Sequence, residues 1–547
     1  MDFKSLFRRK TIPSVLADLK AMELDSANSL VKNLRLIDLV AFGIAAIIGA
    51  GIFSTIGNAA HSGGPAVSLL FLFTAVACLF SALCYAEFAS TIPISGSAYT
   101  YSYTVFGELV AWIIGWNLLM EYAIGNSTVA FSWSEYFTNL LTGVGLHMPD
   151  WLTNDYYTCS RATEGAALAV WQNAPTIGGL HIIFDLPAIF INILVTALVY
   201  IGIKETKKTG NMLVLLKMAV VLLVIVVGVF YVKPENWTPF APNGMKGVLG
   251  GIAGVFFAYI GFDAISTTAE ECNNPQRDLP RATVIVLIIC SVLYLLVALV
   301  ITGMVNYTEL NVADPMAFIF EKYNLGFMAG IVSVSAVIAI TSVFLVFQMG
   351  QPRIWMSMAR DGLLPKAFGK IHPKYKTPSF ATIMTGVVVA LPTLLLNQEV
   401  VTDLCSIGTL FAFMLVSAGI LFIDRGHEAE RPVAFKVPYI NGRFIVPALF
   451  VLCMVFLNEM PDDHNLLTGF SAEKVPYLLF FLTFGVLAVF SFLKNWSLIP
   501  VLGIVTNLYL IAGLGHLNWI RFGVWCAIGF VIYFLFSYKN SRLANAR

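Results

Sequence analysis

Apolar residues in this chain run in long blocks, and the polar residues gather between them. A helix needs about 20 apolar residues to cross the hydrocarbon core of a bilayer. By that ruler fourteen stretches qualify, near 37–57, 66–91, 105–135, 183–203, 210–232, 248–269, 282–304, 324–351, 379–397, 402–424, 443–460, 475–493, 497–514 and 521–538. The pattern predicts an all-α polytopic membrane protein with about 14 transmembrane helices.

Composition agrees. Hydrophobic residues make up 58% and charged residues 12% of the 547, and mean hydropathy is +0.80. A soluble domain carries about twice that share of charge, so the apolar stretches must face lipid or each other. The distribution of charge then sets an orientation, because cytoplasmic loops hold the excess of lysine and arginine. With the N-terminus inside and the spans alternating, inner segments hold 26 of the 33 and outer segments six. The last, Lys217, falls within a span. Both termini are therefore expected in the cytoplasm and the protein in the inner, plasma membrane. Residues 1–36 are charged and mixed, without the short apolar core of a signal peptide, and read as a cytoplasmic tail. The loop 142–182 falls outside, and its sequence suggests no function.

Glycines interrupt two spans near mid-depth, a pair in the first and one beside a carboxylate in the sixth. The first span contains Ile48-Gly49-Ala50-Gly51-Ile52-Phe53, and the sixth contains Phe257-Ala258-Tyr259-Ile260-Gly261-Phe262-Asp263. Matched interruptions in two halves point to a transporter binding site, since unwound backbone persists in a membrane only where it lines a polar cavity. A half-helix N-terminus holds a carboxylate through free N–H groups and its dipole. Free carbonyls at the opposing end hold an ammonium. Together they suit an α-amino acid. The plainer reading is that Gly49 and Gly51 only let helices pack closely. Asp263 weighs against it, because a carboxylate does not help packing.

With these residues in view the sequence resembles the amino acid–polyamine–organocation superfamily, and within it the cationic amino acid transporter family. The resemblance covers about 30–540. It rests on Gly49-Ala50-Gly51-Ile52-Phe53, on Ala258 to Asp263, on Glu270-Glu271-Cys272-Asn273-Asn274-Pro275 through Arg281, and on Gln351-Pro352-Arg353 through Pro365. It implies a five-plus-five inverted-repeat transporter fold with broken helices 1 and 6. The first repeat would cover 37–232 and the second 248–424, with peripheral helices 11–14 at 443–538 and a cytoplasmic C-terminal tail at 539–547. Spans one and six would line the site, supported by three, eight and ten.

Ionisable residues inside spans are costly and face a cavity or a partner. Lys217 sits two turns into the fifth span. Snorkelling to the inner surface is one reading. The other follows the bacterial proton-coupled members of the superfamily. There a fifth-span lysine sits between spans one and eight, which makes Thr341 and Ser342 its candidate neighbours. Burial disfavours the charged form, so the lysine would load and release a proton. Glu121, deep in the third span, and Asp263 each either form a structural ion pair with another helix or make the cavity acidic, which favours a cationic side chain or a proton. Glu87 reads as structural or interfacial. Glu270 and Glu271 with Arg353 and Arg360 form an inner gate or remain solvated loop charges. Phe257 and Ile260 lie on the substrate-facing stretch the resemblance implies, or pack in the core.

Rival classes find less support. The seven histidines fall in loops or at span ends, so no pair ligates a metal or haem at mid-depth. No phosphate-cradling GxxxxGK[ST] motif occurs. The eight cysteines form no CxxC pair and read as buried thiols. A proton-translocating respiratory subunit is the strongest rival, since it too can combine fourteen spans with buried lysine and glutamate; a channel is weaker. The expectation is a secondary active amino acid transporter rather than an enzyme, using proton symport by alternating access. Its substrates would be cationic or small neutral L-amino acids. Exchange or facilitation without protons stays open, as does a small membrane subunit or homo-oligomer. No cofactor, metal or nucleic acid is expected.

Overall fold

The computed structural model describes residues 6–15, 17, 32–202, 207–312, 314–423, 434–455 and 471–545. Most of the expected N-terminal tail, residues 424–433 and the far end of the 443–460 stretch lie outside these residues.

About 79% of the described residues are helical. Among the described residues seven helices are long and apolar enough to cross a membrane: Gly51–Thr91, Asn211–Tyr231, Pro275–Met304, Gly326–Arg360, Gln398–Phe422, Ala472–Lys494 and His516–Asn540. Five shorter apolar helices accompany them. The burial pattern inverts that of a soluble protein. Ile193, Leu215, Val226 and Val524 point outward, while Glu121, Lys217 and Asp263 are buried. An exposed apolar surface of this kind belongs against lipid.

The first span is broken. Helix α1, Leu36–Ile47, stops at Ile48, whose extended backbone turns the chain. A π-helical turn, Gly51–Thr55, restarts it and leads into α2, Ile56–Gly63. Helix α3, Val67–Thr91, follows. The third stretch is Glu108–Leu119 (α4) and Gly125–Gly143 (α5), joined by a second π turn, Met120–Ile124, that holds Glu121. Sequence pattern had shown one continuous helix here; a π turn adds one residue without breaking apolarity, and such turns cluster at functional sites.

The next helices are α6, Leu186–Ile201, and α7, Lys207–Gly228. The sixth stretch is α8, Ile252–Phe257, then a turn at 258–262, then a 3-10 segment, Asp263–Glu271. Its lower half is thus 3-10 rather than α. Then come α9, Pro275–Met304; α10, Gly326–Arg360; α11, Ser379–Leu395; and α12, Gln398–Phe422. The peripheral helices are α13, Ile445–Val455; α14, Val475–Lys494; α15, Leu498–Gly513; and α16, His516–Ile532.

One element departs from an all-helical chain. The 142–182 loop carries short helices at Tyr156–Arg161 and Gly165–Asn173 and a small antiparallel hairpin, Thr176–Ile177 with Leu180–His181. Cys159 is buried there beside Val170, Ala174 and Ile183. All eight cysteines are free thiols.

The two broken spans touch. A Cβ on Gly51 would lie 2.3 Å from the Cα of Ala258. Gly261 has φ +120° and sits against Ala46, a backbone conformation open in practice only to glycine. Gly51 therefore permits close packing and restarts the first span at once. Gly51→Ala forces the spans apart, and overpacking of this kind costs about 1–3 kcal/mol. A lower unfolding midpoint of the purified protein in detergent is expected, and an unchanged midpoint would show that the contact is absent.

Candidate functional site

Lys217 on α7 reaches the break in the first span. It is 1% exposed, so it is buried between helices rather than snorkelling. Its Nζ donates to the carbonyls of Ile48 at 2.9 Å and Ala45 at 3.1 Å, and to Ser342 Oγ on α10 at 2.5 Å. A longer contact reaches the Ala339 carbonyl at 3.4 Å. Ser342 is thus the hydroxyl brought to the ammonium. Thr341, one residue earlier, is engaged differently: its hydroxyl donates to Val337 at 2.7 Å and accepts from Trp133 Nε1 at 2.9 Å.

Other side chains secure the same unwound segment. Tyr294 Oη donates to the Ile47 carbonyl at 2.9 Å and Tyr136 Oη to the Phe53 carbonyl at 2.7 Å. Thr55 Oγ1 donates to Gly51 and to Gly254 on α8, at 2.7 and 2.9 Å. The first amides to donate back to Gly49 are those of Ile52 and Phe53. The N–H groups of Gly49, Ala50 and Gly51 therefore precede the new ladder, where a helix leaves its amides without an intrahelical acceptor.

Glu121 and Asp263 come together beneath this break, and their carboxyl groups adjoin. Tyr122 Oη donates to Asp263 Oδ2 at 2.7 Å. The Tyr85 hydroxyl is buried without a hydrogen bond, and none of normal geometry reaches the carboxyl oxygens of Glu121 or Oδ1 of Asp263, although Glu121 adjoins Asp263 and Thr409, and Tyr101 adjoins Ser266. Buried polar atoms are nearly always partnered, so this cluster can receive polar groups. Among the described residues no basic side chain pairs with Glu121 or Asp263. Ile48, Ala50, Ile52, Phe257 and Ile260 are all buried beside the two breaks.

The sequence reading missed several participants. Tyr122, Tyr136 and Tyr294 gave no signal, because a tyrosine in an apolar stretch is ordinary. Glu135, at the edge of the third stretch, accepts from Ser54 Oγ at 3.1 Å. Gln398 at the start of α12 donates to Ser54 Oγ at 3.3 Å and Ser132 Oγ at 2.8 Å. These contacts tie the restarted first span to α5 and α12. On their far side lies a cavity of about 300 Å³ lined by Asn58, His61, Glu399 and Asp403 among others.

At the opposite end Arg353 pairs with Glu271 at 2.8 Å, and Arg360 approaches Glu270 at 4.0 Å. Both pairs join α10 to the 3-10 segment of the sixth stretch. Asp361 accepts from Tyr99 Oη at 2.7 Å and pairs with Lys10. Glu87, away from the site, accepts from the Val437 amide at 2.7 Å, which fixes the chain entering α13.

The comparisons with known proteins agree with this arrangement. The model of the amino acid permease family matches residues 34–486, and that of the amino acid permease C-terminus matches 498–541. The chain is 38% identical to the methylthioribose transporter of Bacillus subtilis and 38% identical to the branched-chain amino acid permease BcaP of the same organism. Each alignment covers 98% of this chain and 99% of the relative. It is 32% identical to the vacuolar cationic amino acid transporter 4 of Arabidopsis thaliana, over 99% of this chain and 97% of that one. These proteins are transporters rather than enzymes, which removes the respiratory-subunit reading. A multi-pass chain with two broken spans and a lysine at the first break, matched along nearly its whole length, belongs to the amino acid permease family, in the amino acid–polyamine–organocation group that includes the cationic amino acid transporters.

Proposed function

We propose that this protein is a proton-coupled amino acid permease of the plasma membrane, working by alternating access with both termini in the cytoplasm. In this reading the chain crosses the bilayer fourteen times. Residues 37–232 and 248–424 form the two inverted repeats, and 443–538 form the peripheral helices.

The observation that carries the proposal is the contact of Lys217 with Ile48, Ala45 and Ser342. A protonated lysine holds the broken first span against α10. Loss of its proton removes the charge and one donor, and weakens the hold. A proton entering from one side and leaving to the other thereby biases the two states, and substrate is linked to it by its own differential affinity for them.

The substrate carboxylate would meet the N–H groups of Gly49, Ala50 and Gly51, and its ammonium the nearby carbonyls of the two breaks. Phe257 and Ile260 would line the apolar part of the pocket. Glu121 and Asp263 would tune its polar part. Glu270 and Glu271 with Arg353 and Arg360 would close the inner side. The relatives carry names for branched-chain amino acids, cationic amino acids and methylthioribose, so family membership alone leaves the cargo open. The adjoining carboxyls favour a cationic amino acid, and small neutral ones stay within the proposed range.

Uptake of radiolabelled alanine and arginine into proteoliposomes, with and without an inward proton gradient, tests the reading. Gradient-stimulated uptake is expected in the wild type, and Lys217→Ala is expected to abolish the stimulation. Equal wild-type uptake in both conditions would sink symport and point to exchange or facilitation. No uptake of either compound would overturn the substrate assignment. In the same assay Glu121→Gln should depress arginine relative to alanine. A lost charge-assisted contact costs about 1.5–3 kcal/mol, which corresponds to about tenfold or more. An unchanged ratio would remove Glu121 from the side-chain pocket.

A further inference from the structure

A second cavity, of about 280 Å³, lies between the end of α6, the last turns of α10 and the start of α11. Its lining is divided. Val199, Met349 and Met356 make an apolar floor, and Arg353, Arg360 and Lys376 stand around it with Glu271 as the one carboxylate. Glu270, beside Arg360, brings the nearby carboxylates to two. Three cations against two anions still favour an anionic occupant, and the apolar floor favours one with a hydrocarbon part.

The cavity also lies at the bilayer edge. Ile201, beside Gly202 of the lining, is 52% exposed, and Phe380, between Pro378 and Thr382 of the lining, is 41% exposed. These helices thus present apolar side chains to lipid within a residue or two of the cavity wall. Basic pockets between spans on the cytoplasmic side suit acidic lipid headgroups.

We infer that this cavity binds an anionic phospholipid of the inner leaflet, and that the lipid promotes opening of the inner gate. The phosphate meets the guanidinium groups of Arg353 and Arg360 and the ammonium of Lys376, while acyl carbons cover Val199 and the two methionines. A free phosphate would leave the floor unused, and a zwitterionic lipid would leave the net charge unmatched. The same guanidinium groups pair with Glu271 at 2.8 Å and Glu270 at 4.0 Å. A phosphate competes with both carboxylates and loosens the 3-10 segment from α10. This regulatory half rests on the gate assignment made above; the binding half does not.

Purified full-length protein in detergent is titrated with dioleoylphosphatidylglycerol, dioleoylphosphatidylcholine or inorganic phosphate, and Tm is followed. A saturable rise with phosphatidylglycerol alone is expected, lost in the double variant Arg360→Gln, Lys376→Gln. Should that variant fail to fold, Lys376→Gln alone, at an exposed position, should weaken the half-point of the rise. An equal rise with phosphatidylcholine, the same rise with inorganic phosphate, or no rise overturns the site.

Uptake is then compared in vesicles of phosphatidylethanolamine with phosphatidylcholine or with phosphatidylglycerol. A severalfold gain with phosphatidylglycerol that the variants lose supports the regulation. Binding without that gain, in vesicles where the wild type transports, overturns it. Absence of uptake in every lipid is a failure of the permease reading, and the Tm titration still decides the lipid site.

Discussion

An unwound helix inside an apolar medium must have its backbone groups satisfied by the protein around it, because each one left bare costs several kcal/mol. The first span meets that demand with side chains from three other helices. Lys217 from α7 takes the carbonyls of Ala45 and Ile48, Tyr294 from α9 takes Ile47, and Tyr136 from α5 takes Phe53. The break is therefore the point on which these helices converge, and their placement follows from it. Breaking any one of these contacts would leave a buried acceptor unpaired rather than merely lose a favourable bond.

The helices around this span are also joined on its two sides. Toward α12, Ser54 is shared by Glu135 and Gln398 through partly buried hydrogen bonds. At the opposite side, ion pairs join α10 to the sixth stretch, with Arg353 and Arg360 at 15% and 28% side-chain exposure. These end contacts are fewer and less buried than the set of oxygens around Lys217. Contacts that part at the ends while the centre stays ordered suit the alternating access proposed above.

Much of this was legible in the sequence, for physical reasons that differ by residue. A glycine pair marked the first break and Gly261 with Asp263 the second, and a lone lysine in an apolar run marked Lys217, because each is costly there without a purpose. The choice between Thr341 and Ser342 was not legible: neighbouring helical residues point about 100° apart, and only the packed register selects Ser342. The π turn holding Glu121 left no trace, since it changes the hydrogen-bond ladder and not the composition. Tyr122, Tyr136 and Tyr294 were hidden by being aromatic among apolar neighbours, although their hydroxyl groups carry the contacts. Glu135 sat at the boundary of a predicted span, where a carboxylate looks solvated.

The surroundings of Lys217 also bear on what energy source the proposed transport would use. Carbonyls of Ala45, Ile48 and Ala339 and the hydroxyl of Ser342 converge on one point, within 3.4 Å of the ammonium nitrogen. Such a set of oxygens attracts any small cation. Here the cation is tethered to α7 by its own side chain, so it cannot leave with each cycle. Only its charge can change, and for a lysine that change is the gain or loss of a proton. In the mechanism we propose, a fixed ammonium in this oxygen cage serves as a proton-dependent clasp. Its contacts on Ala45 and Ile48 lie beside the amides assigned to the substrate, so protonation and substrate binding would act on the same short stretch of backbone, Ala45 to Gly51.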